Sequence, residues 1–200
     1  MPWGAASVVA EIASAGGSAV AVDPAYALSW DDLESRARQD VLRGVELVDK
    51  FPDRFVWHYF SDAADHRATR LAALQRFIEH YPTTAPGMIY VVGEFPDLPF
   101  PNESFDLVLC SHFLFTYWDR LSFDFHLAAI REMVRLSRAE TRIFPLLAAG
   151  SGEPYPEMTA LRRALSDRGI ETEVRKVSYE FQAGGDEMLA CSAARPIAVP

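Results

Sequence analysis

The chain has 200 residues, half of them apolar and 24% charged, enough for one globular domain whose core needs no metal or disulfide staple. Nineteen basic against twenty-eight acidic residues leave a net charge of −9, which repels phosphate backbones and argues against nucleic acid as a partner. No run of about 18 apolar residues offers a membrane span, no basic-then-apolar leader opens the sequence, and the two cysteines, Cys110 and Cys191, read as free thiols of a cytoplasmic chain.

In chain order, residues 5–15 place Val8, Val9, Ile12 and Ala15 on one helical face, and Gly16-Gly17 ends that helix. Residues 18–22 are a short apolar run closed by Asp23-Pro24 and predict a strand buried on both faces. Residues 30–51 repeat Leu33, Ala37, Val41, Leu42, Val45 and Val48 at helical spacing, with Asp31, Asp32 and Glu34 in the first turn. A further helix carries Leu71, Leu74, Phe77 and Ile78 and stops before Pro82. Residues 88–93 predict a strand, and residues 104–110 predict the most deeply buried strand of the chain. A helix over 123–137, a strand over 141–147 and a helix over 156–168 follow, the last stopped by Gly169. Residues 171–181 and 187–193 flank Ala183-Gly184-Gly185-Asp186 as a hairpin. The alternation predicts an α/β fold: a Rossmann-like, mostly parallel sheet flanked by helices, with an antiparallel C-terminal hairpin, built as a single domain over residues 1–200.

In open α/β sheets ligands lie beyond the carboxyl ends of the parallel strands. The residues there are Asp23-Pro24, Gly93-Glu94-Phe95, Cys110-Ser111-His112 and Phe144-Pro145. Asp23 has the position of an acid that accepts both ribose hydroxyls of a nucleoside; capping of the turn at Pro24 is the equal alternative. His112 could take a proton from a hydroxyl or amine, or be a satisfied structural histidine. Neighbouring strand residues point to opposite faces, and no Gly-x-Ser-x-Gly elbow is present, so Ser111 and His112 are not expected to act together in acyl transfer. Asp62, Asp65 and His66 sit where a helix start wants acids, and a metal site there is not expected. Asp106 reads as a structural hydrogen-bonding residue.

The stretch GEFPDLPFPNESFDLVLCSHFLF, residues 93–115, resembles the class I S-adenosylmethionine-dependent methyltransferases. In that family an acid follows the third strand, then Leu-Pro-Phe, an acidic turn, and Phe-Asp-Leu-Val opening the fourth. SAVAVDPAY, residues 18–26, is similar to the family's second strand with its ribose-binding acid. The resemblance implies transfer of a methyl group from S-adenosylmethionine to a small-molecule acceptor. It implies Asp23 for the ribose, Glu94 and Phe95 for the adenine edge and face, and Ser111, His112 and Phe113 around the transferable methyl, with His112 and Ser111 as the catalytic candidates.

Two departures shape the expectations. The family opens with a strand ending in Asp-x-Gly-x-Gly, whereas this sequence starts at Met-Pro-Trp-Gly, with Gly4 in the position of that loop's last glycine. Relative to the family the domain is N-terminally incomplete, so cofactor binding is expected to be weak or lost, and a degenerate, non-catalytic binding or interaction protein is the alternative function. The open slot left by a central strand favours a homodimer. Before the fifth strand, Arg138-Ala139-Glu140 stands in place of Pro-Gly-Gly, which predicts a different or longer helix end.

Overall fold

A computed structural model describes residues 7–194. The chain divides after Glu94 into two compact units.

Among the described residues, the first unit packs three α-helices beside a short parallel strand pair. α1 (Ser7–Ser14) buries Val9. β1 (Ala21–Val22) pairs in parallel with β2 (Tyr90–Val91), Ala21 opposite Tyr90. Between them lie α2 (Trp30–Lys50) and α3 (Ala63–His80). Ser29 caps α2 by accepting the Asp32 N–H, and Asp31 and Asp32 complement the positive helix end. Of the predicted stripe, Leu33, Ala37, Val41, Val45 and Val48 are buried, while Leu42 is 49% exposed. Val9, Leu33, Ala37, Leu74, Phe77, Tyr26 and Tyr90 form one apolar cluster. The strand expected over 18–22 shortens to two half-buried residues, because β2 is the one strand it pairs with among the described residues.

The second unit is a four-stranded sheet with two helices. β3 (Phe105–Ser111) pairs in parallel with β4 (Ser137–Phe144). α4 (Phe123–Leu136) connects them, and α5 (Met158–Ser166) leads into β5 (Ile170–Lys176) and β6 (Glu187–Ala193). The order is β3-β4-β6-β5, with β6 antiparallel to both neighbours, so parallel pairing gives way to the antiparallel hairpin at the chain's end. Cys110, Ile143, Leu189 and Cys191 share a cluster with Ile130 and Met133 of α4 and Leu161 and Leu165 of α5. Burial pushes the Cys110 thiol up to about 11 and the Cys191 thiol to about 12, so neither is a nucleophile.

One expectation is corrected here. β3 is an edge strand, not the most buried one: Leu107 is 40% and Leu109 60% exposed. They share the face of Glu140 and Arg142, their register partners on β4, where an Arg142–Glu140–Arg175–Glu173 ion ladder runs across to β5. The helices of this unit lie against the other face. At Arg138-Ala139-Glu140 the helix end is different rather than longer. Ser137, at φ −93° and ψ 133°, ends the helix directly into β4, and Arg138 binds the Asp106 carboxylate at 2.9 Å. Among the described residues no helix is long and apolar enough to cross a membrane.

Candidate functional site

Just past the end of β3 the backbone takes a conformation that, among the described non-glycine residues, Glu103 alone shares. Ser111 is the last strand residue, and His112 turns into the left-handed region at φ 53°. An L-residue there is strained, and such residues concentrate at functional sites. The turn carries the imidazole back: Ser111 Oγ and His112 Nδ1 are hydrogen-bonded at 2.8 Å. The expectation that these side chains diverge is therefore corrected, because strand alternation stops at Ser111. The His112 N–H continues the ladder to Phe144 O at 2.7 Å, and its ring meets the Phe144 ring edge-on at 5.7 Å. Ser111 and His112 are exposed.

Phe113 extends the group. Its ring lies nearly parallel to Phe95, 12° apart with centroids 6.3 Å distant, and edge-on to Phe125. Phe95 is thus brought beside the residue next to His112. The segment that carries Phe95 is fixed by a carboxylate–guanidinium clamp that sequence reasoning did not single out. Glu132 accepts the Leu98 N–H at 2.8 Å and both Arg135 Nε and Nη2 at 2.7 Å. Arg135 also donates to Phe100 O and Asn102 Oδ1. The Arg135 hydrogen bonds hold the Glu132 carboxyl below its ordinary range against the opposing effect of burial. The spacing Glu132–Arg135 on one helix face was the signal available.

In the first unit, the Asp23 N–H donates to Val91 O at 3.2 Å, so Asp23 stands at the carboxyl end of β1 beside the end of β2. Its Oδ1 accepts the Ala25 N–H at 2.7 Å and caps a one-turn 3-10 helix, Pro24–Ala27. The capping reading is thereby met; a carboxylate with room for about four hydrogen bonds can also accept a diol. Asp23 adds to the burial that raises the pKa of Tyr26. Glu94 follows β2 and is exposed. Gly4 lies outside the described residues. Asp62 caps α3 through the Asp65 N–H, and Asp65 in turn accepts from Ser61, so both acids are engaged at the helix start.

A family model described as a methyltransferase domain matches residues 56–144. An uncharacterized protein of Methanocaldococcus jannaschii is 30% identical over 192 residues, 93% of this chain and 80% of that protein. Among solved structures, magnesium protoporphyrin IX methyltransferase of Synechocystis, with bound S-adenosylhomocysteine, aligns at 12% identity over 64% of this chain with TM-score 0.38. A SAM-dependent methyltransferase of Aquifex aeolicus aligns at 16% identity over 60% with TM-score 0.34. The chain spans 61% and 62% of those two structures, less than two thirds of their length.

Proposed function

We propose that the chain is a methyltransferase of the class I S-adenosylmethionine-dependent kind, a reading supported by the methyltransferase-domain match over residues 56–144, and that it transfers a methyl group from S-adenosylmethionine to a small-molecule acceptor. The observation that carries this reading is the left-handed His112 with its Ser111 contact at the carboxyl end of β3. An exposed, strained imidazole beside a hydroxyl suits a group that handles an acceptor's proton.

Taken singly, residues of each unit have the chemistry that parts of the cofactor would need. Asp23 offers a half-buried carboxylate at a strand end, already oriented by its bond to Ala25, and this arrangement suits a ribose diol. Glu94 would accept from an adenine amino group, Phe95 would cover a face of the base, and Ser111 would hydrogen-bond the methionine end. When bound, S-adenosylmethionine supplies an electrophilic methyl on a sulfonium, which passes to a nucleophile in one displacement. His112 orients the acceptor's hydroxyl or amine and takes the proton it loses, while Ser111 fixes the imidazole through Nδ1. Phe113 and Phe95 would give an acceptor an apolar surface beside the exposed His112, so the site acts mainly through proximity.

Calorimetric titration of the chain with S-adenosylhomocysteine tests the reading. Saturable binding, weak or tight, supports it, and release of S-adenosylhomocysteine from S-adenosylmethionine in the presence of an acceptor completes it. Binding without turnover under any acceptor would favour a non-catalytic binding protein. No saturation into the millimolar range would overturn the methyl-transfer reading.

A further inference from the structure

The segment 112–117 leaves β3 without regular structure, so its backbone must be tied down by other groups. The Leu114 carbonyl lies 3.0 Å from Nε2 of His126 on α4. His126 is wholly buried. Its ring stacks on Tyr155 at 4.6 Å and on Phe115 at 5.5 Å, and its Nδ1 lies 2.8 Å from Ser122 O, one turn back.

A leucine would fill this space without the cost of burying a polar ring. What histidine adds is an N–H. Ser122 O already accepts the His126 backbone N–H at 3.1 Å, so the Leu114 oxygen is where the ring proton matters most. Phe115 packs on the same ring, which makes the imidazole and the middle of the segment one block. Leu114 stands two residues after His112 and three after Ser111.

We propose that His126 is a positioning residue for the methyl-transfer site: through the Leu114 carbonyl it holds the 112–117 segment, and with it Ser111 and His112, in the geometry the reaction uses. His126 touches no substrate. The proposal rests on the methyltransferase reading above.

Three substitutions separate it from plain core packing. His126→Gln places an N–H near the Nε2 position, His126→Asn reaches only Ser122, and His126→Leu fills space with no donor. Hydrogen exchange reports the segment through the Tyr117 amide, which donates to Phe113 O at 3.1 Å, and calorimetry reports S-adenosylhomocysteine affinity. His126→Leu and His126→Asn should speed exchange at Leu114 and Tyr117 by about tenfold and weaken S-adenosylhomocysteine by a similar factor, the effect of leaving one buried carbonyl unpaired. The α4 amides should stay protected, and His126→Gln should restore both readouts. Wild-type exchange and affinity in His126→Leu would overturn the proposal, as would a Gln variant no better than Asn. If the Leu variant does not fold, the Gln–Asn comparison decides alone. If the unsubstituted chain does not bind S-adenosylhomocysteine, the methyltransferase reading fails, and unchanged exchange in the Asn variant would overturn the positioning role independently.

Discussion

Substituting His112 by alanine and by glycine separates backbone strain from side-chain chemistry. At φ 53° the Cβ of an L-residue crowds the following carbonyl, at a cost of roughly 1–2 kcal/mol. Alanine keeps that Cβ and loses the contact to Ser111 Oγ, which for an exposed pair is worth about 0.5 kcal/mol. Glycine loses the same contact and relieves the strain, but gives the unfolded chain about 0.5–1 kcal/mol of extra backbone freedom. The glycine variant should therefore be about 0.5–1 kcal/mol more stable than the alanine variant, a difference of about 1–4 °C in Tm for a chain this size. Urea denaturation and thermal melts read it directly. An alanine variant as stable as the glycine one would refute the strain argument. Both variants delete the imidazole, so turnover should fall in both, by about 10²–10⁴ if the ring takes the acceptor's proton, with S-adenosylhomocysteine affinity nearly unchanged. Normal specific activity alongside a loss of stability would return His112 to a structural role.

Asp23→Asn keeps a cap for the Ala25 N–H and removes the charge, whereas Asp23→Ala removes both. The alanine variant should lose about 1 kcal/mol of stability and about 1–3 kcal/mol of S-adenosylhomocysteine binding, and unchanged affinity in both variants would take Asp23 out of the ribose site. Arg135→Ala leaves the Glu132 carboxylate, 9% exposed, with the Leu98 N–H as its remaining donor named above. Breaking a buried pair costs about 3–5 kcal/mol, reduced here to about 2–3 because the guanidinium is partly solvated; denaturation at neutral pH measures it, and a loss below about 1 kcal/mol would show that this clamp does not hold the 95–104 segment. Burial lowers the pKa of His126 against the pull of the Ser122 and Leu114 carbonyls and Glu157, and burial and Arg70 lower that of His66 against Asp49 and Asp65. Both rings bind fewer protons folded than unfolded, so their contribution is complete above the unfolded value of about 6.5 and declines as pH falls below it. Urea midpoints between about pH 7.5 and 5.5 should drop accordingly, and a flat profile would contradict the burial of these two rings.

The elements were legible because their signals are local. The α2 stripe from Leu33 to Val48 and the acids of its first turn, Asp31 and Asp32, need only the neighbouring turns to take effect, and both are present. Gly169, at φ 73°, stops the helix before β5 as its missing Cβ allows. The position of β3 was not legible. Phe-Asp-Leu-Val-Leu-Cys reads alike whether both faces are covered or one, since a continuous apolar run records its own hydrophobicity and not what lies across from it. Leu107 and Leu109 fall on the face that the helices of their own unit do not cover.

The candidate site divides in the same way. Asp23, Glu94, Ser111 and His112 are candidates because each lies at or just beyond a strand end, a matter of chain order. The Ser111–His112 contact was missed because alternation was carried one residue too far. Histidine is only moderately enriched in the left-handed region, so no residue type announces the turn as glycine would. His126 and Arg135 were missed for a different reason. Each acts on a backbone carbonyl distant in sequence, Leu114 and Phe100 respectively, and a carbonyl leaves no trace in the identity of its residue. Side chains that serve remote backbone are invisible to pattern reading, yet here they fix the two segments, 95–104 and 112–117, that carry Phe95 and follow directly on Ser111. Candidates for chemistry are read from residue type and chain order, and the groups that position them only from the fold.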